Sequence, residues 1–130
     1  MRRLTGKLPV LLTSVAALLL AFVPLLAHHG TAAFDTTTMV TVTGKITDFQ
    51  FVNPHVQLFF ECKNDKGEME QWQGELTAPN KLARAGWTKR TLKPGDAVTV
   101  TGNQVKGGVH TLWIRKLIGP DGTAMQLFED

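Results

Sequence analysis

From Met39 to Ile118 apolar residues recur at every second position in five short runs, each ending in glycine, proline, asparagine or aspartate. That period belongs to half-buried strands, whose side chains alternate across a sheet. In the first run Val40, Val42 and Ile46 alternate with Thr41, Thr43 and Lys45, with Gly44 on the apolar side. Beyond Ile46 the apolar parity passes to Phe49 and Phe51, so one extra residue is absorbed. That is the mark of a bulge, which bends a strand. A long, bent first strand with a glycine is what a small closed sheet needs to turn a corner.

Asn53-Pro54 interrupts pairing, because proline has no N–H to give to a ladder. A second strand follows from His55 through Val56, Leu58, Phe60 and Cys62, and Asn64-Asp65-Lys66-Gly67 makes a turn. The third strand, Glu68 to Thr77, carries Trp72 and Leu76 on one face and Met69, Gln71, Gln73 and Glu75 on the other. The period then becomes helical over Pro79–Ala85 and stops at Gly86, with either Leu82 and Ala85 or Ala83 and Trp87 as the buried side. Leu92-Lys93-Pro94-Gly95-Asp96 has proline and glycine where a type II turn wants them. Strand four is Ala97–Gly102. Strand five is Val109–Ile118, with Leu112, Ile114 and Ile118 on one face and Trp113 on the other; Met125–Phe128 adds a last short edge.

Three strands, a short helix and two strands make the chain all-β: a small five-stranded OB-like Greek-key barrel with one helix between strands 3 and 4. A β-sandwich is the competing arrangement, but it asks for no helix at that point. The expected divisions are a signal peptide (1–27), an extended N-terminal arm (28–38) pinned to the core by Phe34, and a single OB-like domain (39–130).

The leader rests on basic residues Arg2, Arg3 and Lys7, an uncharged stretch from Val10 to Val23, a helix-breaking Pro24 and a small Ala27. The competing reading is a retained anchor, since uncharged Leu8–Ala27 approaches the 20 or so residues that span a bilayer. Cleavage removes three of the 14 Lys and Arg and none of the 11 Asp and Glu. The net charge of +3 therefore leaves with the leader, and the remainder lacks the basic footprint of non-specific nucleic-acid binding. The expectation is an exported, periplasmic protein of a Gram-negative bacterium, monomeric, touching the membrane only through its leader and binding no nucleic acid. The single cysteine, Cys62, excludes an intrachain disulfide and reads as a small buried hydrophobe.

Taken together, His28-His29-Gly30, Phe34-Asp35, Val40–Gly44, Asn53-Pro54-His55, Trp72 with Glu75, Asn80, Gly86-Trp87, Leu92–Asp96 and Val98–Gly102 resemble a family of exported proteobacterial proteins of unknown function. The Thr-Gly and Pro-Gly-Asp elements are also similar to those of periplasmic OB-fold proteins. The resemblance implies export and one β domain, and supplies no reaction.

Two sets of residues carry chemistry. Cleavage after Ala27 would leave His28 with a free amino group, and amine plus imidazole close a chelate like the histidine brace of copper monooxygenases and some periplasmic copper proteins. The amine with the His29 imidazole is the alternative. Nitrogen-rich tetragonal sites favour Cu(II), and a third ligand is sought at His55, Asp35 or His110. Against this stands a plain polar chain start. The second set, Asn53, His55, Trp72, Glu75 and Trp113, would line a ligand site at the mouth and on the face of strands one to three. Trp72, Trp87 and Trp113 fit either a stacking surface or a core with polar handles. No Ser-His-Asp spacing, phosphate loop or CxxC occurs, and Glu75 is a lone carboxylate, so no catalytic residue is assigned. The expected function is non-enzymatic binding of a small ligand or protein, with a copper-binding protein (His28, His29, His55) as the alternative and a purely structural or interaction module third.

Overall fold

The computed structural model describes residues 33–128. The described residues are mostly β: strands β1 (Phe34–Gln50), β2 (Gln57–Lys63), β3 (Met69–Glu75), β4 (Ala97–Val105) and β5 (Thr111–Ile118), with one short helix among them, α1 (Pro79–Arg84), between β3 and β4. The strands are hydrogen-bonded in the order β1-β2-β3-β5-β4, and β4 returns to β1 to close the ring. All neighbours are antiparallel except β3 and β5. Loops of five or six residues join β1 to β2, β2 to β3 and β4 to β5, whereas a parallel neighbour requires a crossover, here the segment containing α1.

β1 begins at Phe34, five residues before the expected Met39. Phe34 pairs with Val105, and the ladder resumes at Met39 opposite Asn103 after a register shift. The part of the expected arm from Phe34 to Thr38 is thus strand. Residues 1–32, which include the expected leader and the start of the expected arm, lie outside the described residues. Phe34 is 5% exposed and packs on Trp113, the pinning role its sequence context implies. The inferred bulge is present, as a shift between Ile46 and Asp48. Gly44 has a packing reason: a Cβ there would run into the Glu61 carbonyl of β2.

The core lies inside the ring and is built from the expected parities: Val42 and Ile46, then Val56, Leu58 and Phe60, then Trp72 and Leu76. Burying each large member removes enough apolar surface to contribute about 1.5–3 kcal/mol. Two expectations are corrected. In β5 the core residue is Leu117, fully buried, while Ile118 is half-buried. Thr101 pairs with Lys116 and Gly102 with Ile114, so Arg115 is an extra residue that reverses the alternation. In the helical segment the Leu82–Ala85 alternative is the buried side, Leu82 fully and Ala85 partly, with Trp87 joining them while Ala83 is exposed. Met125–Phe128 forms no strand. Met125 donates its N–H to the Leu117 carbonyl, and the Trp87 indole N–H donates to the Gln126 carbonyl at 2.7 Å, so the segment folds toward the end of α1.

Candidate functional site

Odd-numbered residues of β2 and β3 point away from the core that the even-numbered ones build, and pairing aligns them into three rows across β1, β2, β3 and β5, followed by the outermost pair Lys63 and Met69 of β2 and β3 alone. One row is Gln50, Gln57, Glu75 and Trp113. The next is Asp48, Phe59, Gln73 and Thr111. The third is Lys45, Glu61 and Gln71. Side-chain amides tie β2 to β3: Gln73 Nε2 donates to Gln57 Oε1 at 3.1 Å, and Gln71 Nε2 to Glu61 Oε2 at 3.2 Å. Phe59, half-buried, stands between these two pairs.

His55, in the loop before β2, closes one end of the face. Its Nδ1 lies 3.5 Å from Glu75 Oε2, and its ring meets Trp113 edge-on with centroids 5.2 Å apart. The imidazole and carboxylate side chains are 33% and 25% exposed, so both reach solvent. Of the residues singled out in the sequence, the fold therefore brings together His55, Glu75 and Trp113. Asn53 is exposed, in the loop before His55, at a cis peptide bond with Pro54.

Trp72 is set apart from them. It is 8% exposed, on the core side of β3, between Phe60 (centroids 6.5 Å) and His110 (4.4 Å, nearly parallel). Of its two expected roles it takes the core one, and its polar handle, Nε1, donates to Glu70 Oε2 at 3.4 Å. Glu70 also accepts from Asn64 Nδ2 at 3.0 Å and faces His110 Nε2 at 3.9 Å. The Asn64 amide first, then the Trp72 indole and His110, hold the Glu70 carboxyl below the usual carboxylate range. Cys62, half-buried rather than fully buried, has its thiol pushed up by burial and then by the Glu70 charge.

The metal expectation divides. His28 and His29 lie outside the described residues. The three residues considered as further ligands are not neighbours in the site: His55 is at Glu75, His110 at Glu70, and Asp35 is engaged by Thr37 and Thr38. Among the described residues no group of three His, Cys, Asp or Glu is placed to share an ion.

Two cavities open elsewhere. One of about 320 Å³ lies between the end of α1 and residues 119–126; another of about 340 Å³ lies between the start of β1 and the turn after β4. The rows form an open face rather than a cleft. Sequence reasoning placed Glu75, Gln71 and Gln73 on that face but missed Gln57, Phe59 and Glu61, which the same alternation in β2 marks as outward.

Comparison with known families gives one match: the model of a family of unknown function, DUF6152, covers residues 16–113. No curated protein matches the chain.

Proposed function

We propose that this chain, which belongs to the family of unknown function DUF6152, is an exported, non-enzymatic binding module with an OB-like Greek-key barrel, its ligand lying on the outer rows of β1, β2, β3 and β5. The barrel reading is supported by the strand order β1-β2-β3-β5-β4, by the parallel β3–β5 contact and by a helix between β3 and β4. Export to a periplasm, and the monomeric state, rest on the sequence alone, through the leader and the single small domain.

One observation carries the site: His55, Glu75 and Trp113, from a loop and two strands, converge at 3.5 and 5.2 Å on the end of a polar face. Few, convergent polar groups beside an aromatic surface are how ligand sites fix orientation. In this role the imidazole and carboxylate hold a ligand by hydrogen bonds and Trp113 flanks it. The test is to titrate ¹⁵N-labelled protein with small planar and polyol fragments and map the shifted amides. Shifts gathered at Gln57, Phe59, Gln73, Glu75 and Trp113 are expected. Shifts gathered at residues 119–126 would move the site to the cavity beside α1.

A second reading, copper binding through His28 with His29 or His55, is favoured by one contact. Phe34 packs on Trp113 (centroids 5.9 Å), whose ring also meets His55 (5.2 Å), so β1 starts one ring away from that imidazole. At no more than about 3.3–3.6 Å per residue, the chain preceding Phe34 has the length to bring His29 back to His55. Mass spectrometry of the exported protein should find His28 as its first residue, and one tight Cu(II) site should vanish when a residue is added before it. Unchanged copper affinity in that extended form would remove the amino group as a ligand.

A further inference from the structure

We propose that the ligand of the outer face is a neutral oligosaccharide; this rests on the binding-face reading above and assigns its chemical class. The face is rich in planar groups with paired hydrogen-bonding atoms. Four glutamines (Gln50, Gln57, Gln71, Gln73) and three carboxylates (Asp48, Glu61, Glu75) lie on the three rows. A carboxamide offers two donors and an acceptor, and a carboxylate accepts at both oxygens, so each can take neighbouring hydroxyls of one sugar ring.

The amides are held in place before any ligand arrives. Gln73 is tied to Gln57 at 3.1 Å and Gln71 to Glu61 at 3.2 Å, and each amide keeps donor or acceptor capacity beyond that bond. Side chains already fixed lose less freedom on binding. Between them the half-buried ring of Phe59 offers an apolar surface matching the C–H face of a pyranose. Neighbouring strands are about 4.8 Å apart and same-face residues about 6.7 Å apart, so two rows of four strands and one of three form a shallow surface up to about 14 Å across each way, the scale of a short oligosaccharide rather than of one monosaccharide.

Charge argues against the other polymer that aromatic β faces commonly hold. Nucleic acid is bound by neutralising phosphates with lysine and arginine. The rows hold Lys45 at one corner against three carboxylates, Lys63 follows Glu61 just beyond them, and Arg115, on β5, is turned to Asn103 Oδ1 at 2.8 Å, so acids still outnumber the bases of the face. A polyanion would meet repulsion where a polyol meets acceptors.

The experiment titrates the ¹⁵N-labelled protein, in parallel, with maltohexaose, cellohexaose, chitohexaose, dodecathymidylate and hexalysine. At least one hexasaccharide should shift the amides of β2 and β3 around Phe59, with an affinity little changed up to about 0.5 M salt. Phe59→Ala should weaken that binding about tenfold, the effect of one lost stacking platform. Phe59→Trp should retain it, and Thr43→Ala, on the β1–β4 face, should leave it unchanged; a Phe59→Ala spectrum that otherwise overlays the parent shows that the fold persists. If Phe59→Ala does not fold, Gln73→Ala reads the same contact. Salt-sensitive binding of dodecathymidylate or hexalysine at this face, with no hexasaccharide bound, would overturn the glycan class and leave the binding face standing. No shift with any hexasaccharide overturns the proposal, and the fragment map then decides separately whether the face binds anything.

Discussion

Asp35 shows how a single exposed side chain organises the start of β1. Its carboxylate accepts the Thr37 N–H at 2.9 Å and the Thr37 and Thr38 hydroxyls at 2.6 Å each. These bonds, the Thr37 hydroxyl foremost, favour the ionised form and lower its pKa from 3.8 to about 2. A folded-state pKa below the unfolded one means that the stabilisation is fully present above about 3.8 and is lost as pH falls through about 2. Asp35→Asn should therefore lower the melting temperature at pH 7, and the difference from the parent should close as the pH falls to about 2; thermal denaturation across that range checks it. Cys62 gives a complementary case. Burial first and the Glu70 charge second raise its thiol, so Glu70→Gln should lower the thiol pKa and speed alkylation by iodoacetamide at mildly alkaline pH. Neither environment was legible in the sequence: Asp35 read as arm, and Cys62 as core, because hydrogen-bond partners and half-burial depend on what the fold sets opposite them.

The helix and the two irregular strands show how far periodicity carries. Pro79 and Gly86 bracket α1, and the structure agrees within a residue or two, because proline starts a helix readily and a glycine at φ +87° ends it. Its N-cap residue, Ala78, has extended dihedrals (φ −63°, ψ 149°) but no side-chain oxygen to accept from the first turn. Ala78→Asp should supply that acceptor and face the helix dipole favourably, stabilising the protein by about 1 kcal/mol in urea denaturation. The bulge in β1 was visible because apolar residues stand on both sides of the slip at Ile46. The one in β5 was not, since Leu117 and Ile118 are adjacent and equally apolar, and only pairing with Thr101 and Gly102 shows which of them turns inward.

At the scale of the whole molecule the ring is joined unevenly. β1 and β4 share eight residue pairs and β2 and β3 seven, whereas β3 and β5 share three, at Gln73–Glu75 and Thr111–Trp113. That short parallel seam should open first, so amides of residues 73–75 and 111–113 should exchange with deuterium faster than those of Val42 and Val100. Exchange uniform around the ring would contradict this. Glu75 and Trp113 sit on that seam, so a bound ligand should slow exchange there more than at Val42. The sequence by itself determined that the five strands exist, their inward parity up to the bulge in β5, the turns and the span of the helix, because these follow from period-two alternation and from the dihedral habits of glycine and proline over a few residues. Tertiary structure alone decided that Gln57 lies opposite Glu75, that His55 reaches its carboxylate and that Trp113 arrives beside both. Those meetings depend on register between strands distant in the chain, and a slip of one residue at any bulge would turn a row to the other face.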